Sequence, residues 1–446
     1  MAEKRTVFLL LLLALAVQLA FVLALGDAPL NADEAEYVTA ARRLAGGLGL
    51  TAPDGQLYVH RHPPGYVAFL AAIFYAGGGV LAVRLVQGVV AVLTLGFVYA
   101  TARAEFGSRT AKVALLAGAL YLPAAYYSTK VLTEAPFTFA LVLGIYLLAR
   151  GTRGGPRYRW LAFAGVTFGA AALVRSVAFP VALALALFLA LGRDGSRRAR
   201  LAAAATFACG ILVVLALWSG YVFSRTGRVV ATDTNASAVL YIGNNPRAPY
   251  GHTWKALEDP ASCAPLLEVA GAGEDGFRVA AAYRREALRY IATHPAQTAL
   301  RSVGRLLDML EPERLFAATY AAGRIPALPA GVGWPMAALE AAADAAALAL
   351  CALGLVLMPA GRLRGILAVS FAVVFVVHGG TLAYPRYHVP LVVAALAAVG
   401  YALAAGLPAL RERRLSRRQW AALAVVAAAL LASWTRMVLL YVLRGQ

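Results

Sequence analysis

The stretch TVFLLLLLALAVQLAFVLAL, Thr6–Leu25, contains a single polar side chain between its ends, Gln18, and follows the basic residues Lys4 and Arg5. A helix of about 20 such residues crosses the roughly 30 Å hydrocarbon core of a bilayer. Similar blocks recur along the chain, in which 61% of the 446 residues are hydrophobic and 14% are charged. Soluble proteins are roughly half apolar and a quarter charged. We therefore predict an all-α polytopic membrane protein.

A cleaved signal peptide is the alternative for this first block, since Ala24-Leu25-Gly26 offers small residues at a cleavage site. The apolar run of about 19 residues exceeds the usual signal core of roughly 7–15 residues. We therefore predict that the block is a retained membrane helix.

Arginine and lysine cluster in alternate connections between the apolar blocks, which is typical of orientation signals rather than of nucleic-acid binding. With these clusters on the cytoplasmic side, the N-terminus is cytoplasmic and the C-terminus lies outside. We predict about eleven spanning helices, at residues 6–26, 80–102, 111–128, 135–150, 159–173, 176–191, 201–222, 334–358, 366–382, 389–407 and 420–441.

The outer side then contains two substantial loops within a single membrane domain, 1–446. The first outer loop, 27–79, carries an amphipathic stretch at 33–44 and a short apolar run at 64–75 that indicates an interfacial or re-entrant helix. The second outer loop, 223–333, forms the predicted external loop domain between the seventh and eighth spans.

An acidic cluster, Asn31-Ala32-Asp33-Glu34-Ala35-Glu36, follows the first helix directly. Asn31 and Glu34 have the spacing of a capping box, and acids are favoured in the first turn of a helix. Capping explains Glu34 better than it explains Asp33. Both carboxylates are therefore candidate site residues, and Asp33 is the stronger catalytic candidate.

Two further polar motifs are predicted at the same face, His60-Arg61-His62-Pro63-Pro64 and Thr133-Glu134-Ala135-Pro136. The prolines could simply fix the first turn of a helix, and Thr133 and Glu134 could be a cap and a first-turn acid. The predicted topology nevertheless brings both motifs to the membrane face that carries the acidic cluster.

Together these motifs resemble the GT-C superfamily of glycosyltransferases, in the branch that contains protein O-mannosyltransferases and the bacterial aminoarabinose transferases of lipid A. In that branch an Asp-Glu pair opens the first outer loop, as Asp33-Glu34 does here. A Pro-Pro motif follows, and an acid before a proline opens the fourth helix. His62-Pro63-Pro64 is similar to the mannosyltransferase form, whereas the aminoarabinose enzymes have Glu-Lys-Pro-Pro.

The resemblance covers residues 1 to about 405 and implies a GT-C-like bundle with an external loop domain, in a bacterial inner membrane. It also implies transfer of a sugar, with inversion, from a polyprenyl-phosphate donor to a lipid, glycan or protein acceptor on the outer face. Three more segments are similar to the broader bacterial set of such transferases: 241–246, 285–295 and 385–390.

The residue types fit that chemistry independently. A carboxylate can accept the proton of an attacking hydroxyl, and carboxylates stabilise positive charge on a sugar ring. The candidates are Asp33, Glu34 and Glu134. Arginine or lysine can stabilise the departing phosphate. The candidate phosphate-binding residues are Arg386, Lys130, Arg61 and His62, with Arg175, Arg301 and Arg305 as further outer-face cations.

Each of these cations could instead be an interfacial charge that only reaches toward the lipid headgroups. A divalent metal is a further candidate cofactor, since carboxylate and imidazole groups are common ligands. The candidate ligands are Asp33, Glu134, His60 and His62. Their spacing does not by itself demonstrate a metal site.

Three other functions remain open at this point. A transporter of lipid-linked sugars usually shows internal repeats and polar groups at mid-membrane, whereas the acids here cluster at one face. A polysaccharide ligase or polymerase also uses a lipid-linked donor, but is expected to rely on arginine and histidine in its large loop. A non-catalytic scaffold is the third alternative.

Overall fold

The computed structural model of the protein describes residues 2–26, 28–53, 55, 57–192, 195–250, 275–325, 328–406, 412 and 415–444. Within these ranges the chain is helical, and its one β-type feature is an isolated bridge between Thr51 and Leu57. The second predicted outer loop is described in part, because residues 251–274 lie outside the described ranges.

The helices are numbered here in chain order over the described residues. They are α1 (Ala2–Leu25), α2 (Ala32–Ala45), α3 (Pro64–Tyr75), α4 (Val80–Ala119), α5 (Leu122–Thr129), α6 (Glu134–Thr152), α7 (Tyr158–Val174), α8 (Ala178–Leu191), α9 (Arg197–Thr226), α10 (Asn235–Gly243), α11 (Gly276–Thr293), α12 (Pro295–Asp308), α13 (Leu315–Ala321), α14 (Ala330–Leu357), α15 (Arg362–Gly380), α16 (Val389–Ala394), α17 (Leu396–Tyr401) and α18 (Arg417–Arg444). Short 3₁₀ turns cover Tyr58–His60 and Pro385–Tyr387.

Seven of the described helices are long and apolar enough to cross a membrane alone, and the bent pair Pro385–Ala394 and Leu396–Gly406 would add an eighth. Helices α7 and α8 are apolar but shorter. All of the predicted spanning segments fall on these helices, except that the segment 111–128 is shared between α4 and α5. The polytopic helical architecture predicted from the apolar blocks is confirmed.

Helix α4 is two antiparallel helices joined at Gly107, as the sequence predicted from the basic residues of that region. Gly107 has φ 84° and ψ 178°, a conformation that favours glycine. A Cβ placed on Gly118 would lie 2.5 Å from a methyl carbon of Leu95. Since these two residues lie on opposite sides of Gly107, the chain reverses there.

The predicted single span 111–128 is wrong in detail, because the helix is interrupted at Leu120 and Tyr121 before α5 begins. Pro123 lies in the first turn of α5. Proline has no N–H for the carbonyl four residues earlier and disfavours helical geometry in the residue before it. The predicted span 389–407 is also bent, by 62°.

Small residues allow α7 and α9 to pack closely. A Cβ on Gly165 would lie 2.1 Å from the Phe207 carbonyl oxygen, and a Cβ on Gly210 would lie 2.5 Å from the Ala162 carbonyl oxygen. Glycines at such crossings let two helix backbones approach one another, as in many membrane helix pairs.

Several of the predicted cytoplasmic connections lie next to one another. Arg103 Nε lies 2.9 Å from the Glu3 carboxylate, and Arg362 Nη1 donates to the Thr152 carbonyl oxygen over 2.6 Å. Arg200 and Arg362 line the same small crevice. The polar motifs of the predicted outer side converge at a different place, described below.

Helix α12, within the second outer loop, has its polar face buried and its apolar face exposed. Arg305 and Asp308 are fully buried, whereas Leu300 and Val303 are 60% and 52% exposed. Helix α12 packs against α15 and α18, and Arg436 of α18 pairs with Asp308. This part of the loop is therefore integrated into the helical bundle.

Candidate active site

Helix α2 carries the acidic cluster, and its start is fixed by local hydrogen bonds. Asn31 Oδ1 accepts a hydrogen bond from the Glu34 N–H over 2.8 Å, and Glu34 Oε2 accepts one from the Asn31 N–H over 2.9 Å. The predicted capping box is confirmed. Asp33 takes no part in it, and its side chain, 53% exposed, lines a cavity.

Glu34 is fully buried and binds the connection between α5 and α6. Its Oε1 accepts a hydrogen bond from the Val131 N–H over 2.8 Å, and its Oε2 lies 3.0 Å from Lys130 Nζ. Gln87 donates to the Lys130 carbonyl oxygen over 2.6 Å. We call Asn31, Glu34 and Lys130 the capping cluster. It attaches the first outer loop to the bundle, and neither of its charged groups lines the cavity beside Asp33.

Four charged side chains converge at that cavity. Arg175 Nη1 donates to Glu134 Oε1 over 2.9 Å, and Arg386 Nε lies 3.9 Å from the same oxygen. Arg386 Nη2 lies 3.6 Å from Asp33 Oδ2. Glu134 is buried, and its Oε2 has no hydrogen-bond partner among the described residues. We call Asp33, Glu134, Arg175 and Arg386 the cavity cluster.

Aromatic rings hold the two guanidinium groups of the cavity cluster in place. The Tyr387 ring centre lies 5.0 Å from Arg175 Cζ and 5.7 Å from Arg386 Cζ, and the Tyr384 ring centre lies 4.7 Å from Arg386 Cζ. Cations at these distances from an aromatic face are attracted to it. Both arginines are thus held beside the cavity.

The cavity itself has a volume of about 220 Å³. It lies between the first outer loop, the start of α6, the α7–α8 connection, α10 and the segment before α16. Besides the cavity cluster, its polar and aromatic lining includes Tyr37, His62, Ser176, Asp233, Asn235, His378, Thr381 and Tyr387. A second cavity, largely apolar and lined by α4, α5, α6 and α16, shares Glu134 with the first.

The sequence of residues 61–222 matches the family described as dolichyl-phosphate-mannose-protein mannosyltransferases. That stretch includes nine of the residues that line the cavity, among them His62, Glu134 and Arg175. No curated protein matches the chain in sequence.

Two sets of solved structures are similar to the chain. The apo oligosaccharyltransferase of Archaeoglobus fulgidus has a TM-score of 0.51 at 14% identity, over 97% of this chain and 55% of that one. Apo ArnT from Cupriavidus metallidurans has a TM-score of 0.43 at 17% identity, over 92% of this chain and 79% of that one. ArnT bound to undecaprenyl phosphate has a TM-score of 0.42 at 17% identity, over 90% and 78%.

The chain shares the fold of the Archaeoglobus fulgidus oligosaccharyltransferase, and its residues 61–222 are similar to the mannosyltransferase family. At these identities the likeness to the solved structures concerns the fold, and the chain spans about 55% of the length of the oligosaccharyltransferase. The fold predicted from the sequence motifs is confirmed.

His62 lines the cavity but does not bring a positive charge to it at neutral pH. Burial is the main cause that lowers the pKa of His62 to about 4; the guanidinium groups of Arg386, Arg61 and Arg175 act in the same direction, and Asp33 opposes them. An imidazole with that pKa is neutral at pH 7. His62 can therefore donate or accept a hydrogen bond there but cannot act as a phosphate-binding cation.

Three of the four predicted metal ligands, Asp33, His62 and Glu134, line the cavity, but the four do not form a metal-binding group. His60 turns away from the cavity, where its Nδ1 lies 2.9 Å from Thr234 Oγ1 and its ring packs against Phe277. Glu134 binds Arg175 instead. Among the described residues, no group of three or more His, Cys, Asp and Glu side chains has a metal-binding arrangement. The described residues at the cavity therefore do not fit a metal ion.

Three other predicted cations also lie away from the cavity lining. Arg61 is exposed. Arg301 donates to the Asn245 carbonyl oxygen over 2.8 Å, and Arg305 donates to the carbonyl oxygens of Gly243 over 2.5 Å and Gly379 over 2.9 Å. These two arginines bind the backbone of the 243–246 turn.

Sequence reasoning missed Asp233, which lines the cavity beside Ser176. Its Oδ2 accepts a hydrogen bond from Ser176 Oγ, and its Oδ1 accepts one from the Ala236 N–H over 3.2 Å. Burial raises the pKa of Asp233. The available signal was an isolated acid on the predicted outer side, shortly after a spanning helix.

Proposed function

We propose that this protein is a GT-C glycosyltransferase, which moves a sugar from a polyprenyl-phosphate donor to an acceptor hydroxyl, with inversion, at the outer face of a bacterial inner membrane. The observation that carries the proposal is the position of Arg386 between Asp33 and Glu134 at one cavity wall. A proton acceptor and a phosphate-binding group thus lie side by side.

Asp33 is the proposed general base. The acceptor hydroxyl transfers its proton to the Asp33 carboxylate while its oxygen bonds to the anomeric carbon. The bond between that carbon and the phosphate oxygen breaks, and the electron pair leaves with the polyprenyl phosphate. Such a single displacement inverts the anomeric centre.

Arg386 and Arg175 are the proposed phosphate-binding residues. Guanidinium groups bind phosphate oxygens through paired N–H donors, and fixed cations stabilise the negative charge that develops on a leaving group. Glu134 is close to both guanidiniums, which orients them. Its carboxylate can also stabilise positive charge on the sugar ring.

The two adjoining cavities support an amphiphilic donor. Glu134 lines both the polar cavity and the apolar cavity. A lipid-linked sugar phosphate presents a polar head and an apolar chain in the same order. The family matched by residues 61–222 is described by a dolichyl-phosphate sugar donor, which agrees with this interpretation.

The test is a transfer assay on the whole protein in lipid nanodiscs, with synthetic polyprenyl-phosphate sugars and a panel of lipid, glycan and peptide acceptors. We expect release of polyprenyl phosphate together with an inverted sugar product, both dependent on Asp33. The panel also identifies the sugar and the acceptor. Absence of release with every donor, from folded protein, would refute the proposal.

Two other outcomes would identify the alternatives. Reaction of polyprenyl pyrophosphate donors alone would indicate a ligase or polymerase. Movement of a fluorescent lipid-linked sugar across a vesicle membrane, without cleavage, would indicate a transporter.

A further inference from the structure

A second buried polar group lies next to the cavity cluster in sequence but not in the cavity. His388, two residues after Arg386, is fully buried, and so is Asp344 in the middle of α14. His388 Nε2 lies 2.9 Å from Asp344 Oδ2. An ionisable pair inside a membrane bundle is costly to bury unless it is paired and useful.

The hydrogen bonds of this pair are complete. His388 Nδ1 lies 2.8 Å from the Met309 carbonyl oxygen, which can only accept, so the ring donates at that nitrogen. The Asp344 carboxylate also accepts from Tyr121 Oη over 2.5 Å and from the Glu313 N–H over 2.6 Å. The Asp344 carboxylate thus contacts three polar groups, and the His388 ring joins it to the Met309 carbonyl oxygen.

The pair connects parts of the chain that are far apart in sequence. Tyr121 lies between α4 and α5, Asp344 is in α14, and Met309 and Glu313 follow α12. His388 ends the turn that begins at Pro385. All of these parts therefore meet at one carboxylate and one imidazole.

We infer that His388 and Asp344 form a positioning pair that fixes the Pro385–His388 turn and thereby sets the Arg386 guanidinium against the cavity. Arg386 contacts Asp33 and Glu134, which belong to other elements, and two tyrosines of its own segment, Tyr384 and Tyr387. The turn has only three residues in 3₁₀ conformation, so its own hydrogen bonds define its position weakly. The contacts of His388, two residues after Arg386, fix the position of the turn.

The inference rests on the proposed function for its activity test, which is a double-mutant cycle of His388→Gln and Arg386→Ala. The measured quantity is kcat/KM for the polyprenyl-phosphate sugar. We expect His388→Gln to lower it about tenfold when Arg386 is present and less than twofold in the Arg386→Ala background, because residues that act through one another are not additive. An equal loss in both backgrounds would overturn the inference.

Thermal unfolding separates positioning from plain stability. His388→Gln should lower Tm by a similar amount in both backgrounds, since the buried carboxylate loses a partner whichever residue occupies position 386. If His388→Gln does not fold, Tyr121→Phe replaces it in the cycle, because it removes one donor to Asp344 and leaves the ion pair intact. The same non-additivity is expected, with a smaller loss.

Ser433→Ala is the matched control. Ser433 is buried and donates to the Leu307 carbonyl oxygen over 2.7 Å, in the contact between α18 and α12. Its loss should lower Tm while leaving donor kcat/KM within twofold of wild type. A tenfold loss in Ser433→Ala would mean that donor use follows general stability, which would overturn the positioning role.

A labelling experiment tests the inference without enzymatic turnover. In a variant whose native cysteines are replaced, a cysteine introduced by Arg386→Cys is treated with a thiol reagent, with and without His388→Gln. We expect the labelling rate to change at least severalfold when His388 is removed. An unchanged rate would refute the positioning pair, whereas inactivity of the wild-type protein with every donor would refute only the proposed function.

Discussion

The capping cluster and the cavity cluster combine the same kinds of charged groups in opposite ways. Glu34 and Lys130 pair at 3.0 Å, and their side chains are 0% and 4% exposed. Arg386 lies 3.6 Å from Asp33, whose side chain is 53% exposed. The first arrangement is closed and satisfied internally, whereas the second keeps charge at a cavity wall where a ligand can reach it.

The comparison separates two acids that are adjacent in sequence. Asp33 and Glu34 occupy successive positions in the first turn of α2, so their side chains point in different directions around the helix. One direction leads into the bundle toward Lys130, and the other leads to the cavity. Chemical roles should divide in the same way, and substitutions in the two clusters test this division.

The largest expected effect is that of Asp33→Asn. The amide keeps the shape of the side chain but cannot accept the proton, so turnover should fall by roughly 10²- to 10⁴-fold. Tm should be nearly unchanged, because Asp33 is exposed and outside the capping box. Release of polyprenyl phosphate and thermal unfolding are measured on the same preparation. Near-normal turnover would remove Asp33 from the catalytic role.

The next effect is on stability, in Glu34→Gln. The change leaves the Lys130 ammonium buried without its counter-ion, which costs about 3–5 kcal/mol in comparable buried pairs. We expect a clear drop in Tm, with turnover per folded molecule largely retained. The double variant Glu34→Gln/Lys130→Met removes both charges and should recover much of the lost stability. A loss of turnover without a loss of Tm would place Glu34 in the chemistry.

Arg386→Ala should have a smaller effect, on use of the donor. A hydrogen bond to a charged group contributes about 1.5–3 kcal/mol, which corresponds to a fall in donor kcat/KM of about ten- to a hundredfold. Arg386→Lys keeps the charge but not the paired donors, so its loss should be intermediate. Donor titrations at fixed acceptor give the values. Equal donor kcat/KM values for wild type, Arg386→Ala and Arg386→Lys would exclude Arg386 from the phosphate site.

The smallest effect concerns His62 and pH. Its pKa is lowered in the folded protein to about 4 from an ordinary value of 6.5. A group with a lowered folded pKa contributes stability that is present above pH 6.5 and is lost as the pH falls toward 4. His62→Gln should therefore flatten the decline of Tm over that interval. Parallel profiles of Tm against pH for wild type and His62→Gln would show that His62 does not cause the loss of stability at low pH.

The fold was predictable from the sequence because its main determinants are local. An apolar block such as Thr6–Leu25 has only one low-energy state in a bilayer, a helix, since the backbone must satisfy its own hydrogen bonds. The capping box of Asn31 and Glu34 was predictable for the same reason, because its partners are three residues apart. The interruption before Pro123 was missed, although proline is a known helix breaker, because the apolar character continues through it.

The site was only partly predictable, because side-chain direction is set by packing. The predicted residues Asp33, His62, Glu134 and Arg386 do line one cavity. Lys130 was preferred to Arg175 as a phosphate-binding residue, yet Lys130 turns inward to Glu34. Both are cations near the outer ends of helices, and nothing local distinguishes them.

Side-chain contacts between residues that are far apart in sequence could not be predicted. Asp233 meets Ser176 across 57 positions of chain, and His388 meets Asp344 across 44. An acid in an apolar helix, such as Asp344, signals a buried partner but does not identify it. Only the packing of α14 against the turn before α16 supplies that information.

The burial of the polar face of α12, with its apolar face exposed, determines how this polypeptide can be divided for engineering. Residues 227–329 look like an insert that could be excised and produced alone as a soluble fragment. Excision would remove Arg436 from Asp308 and the Gly379 carbonyl from Arg305, while Leu300 and Val303 would face water. A chimera that exchanges this segment must therefore also exchange the parts of α15 and α18 that pack against it. The unit that can be exchanged is larger than the loop.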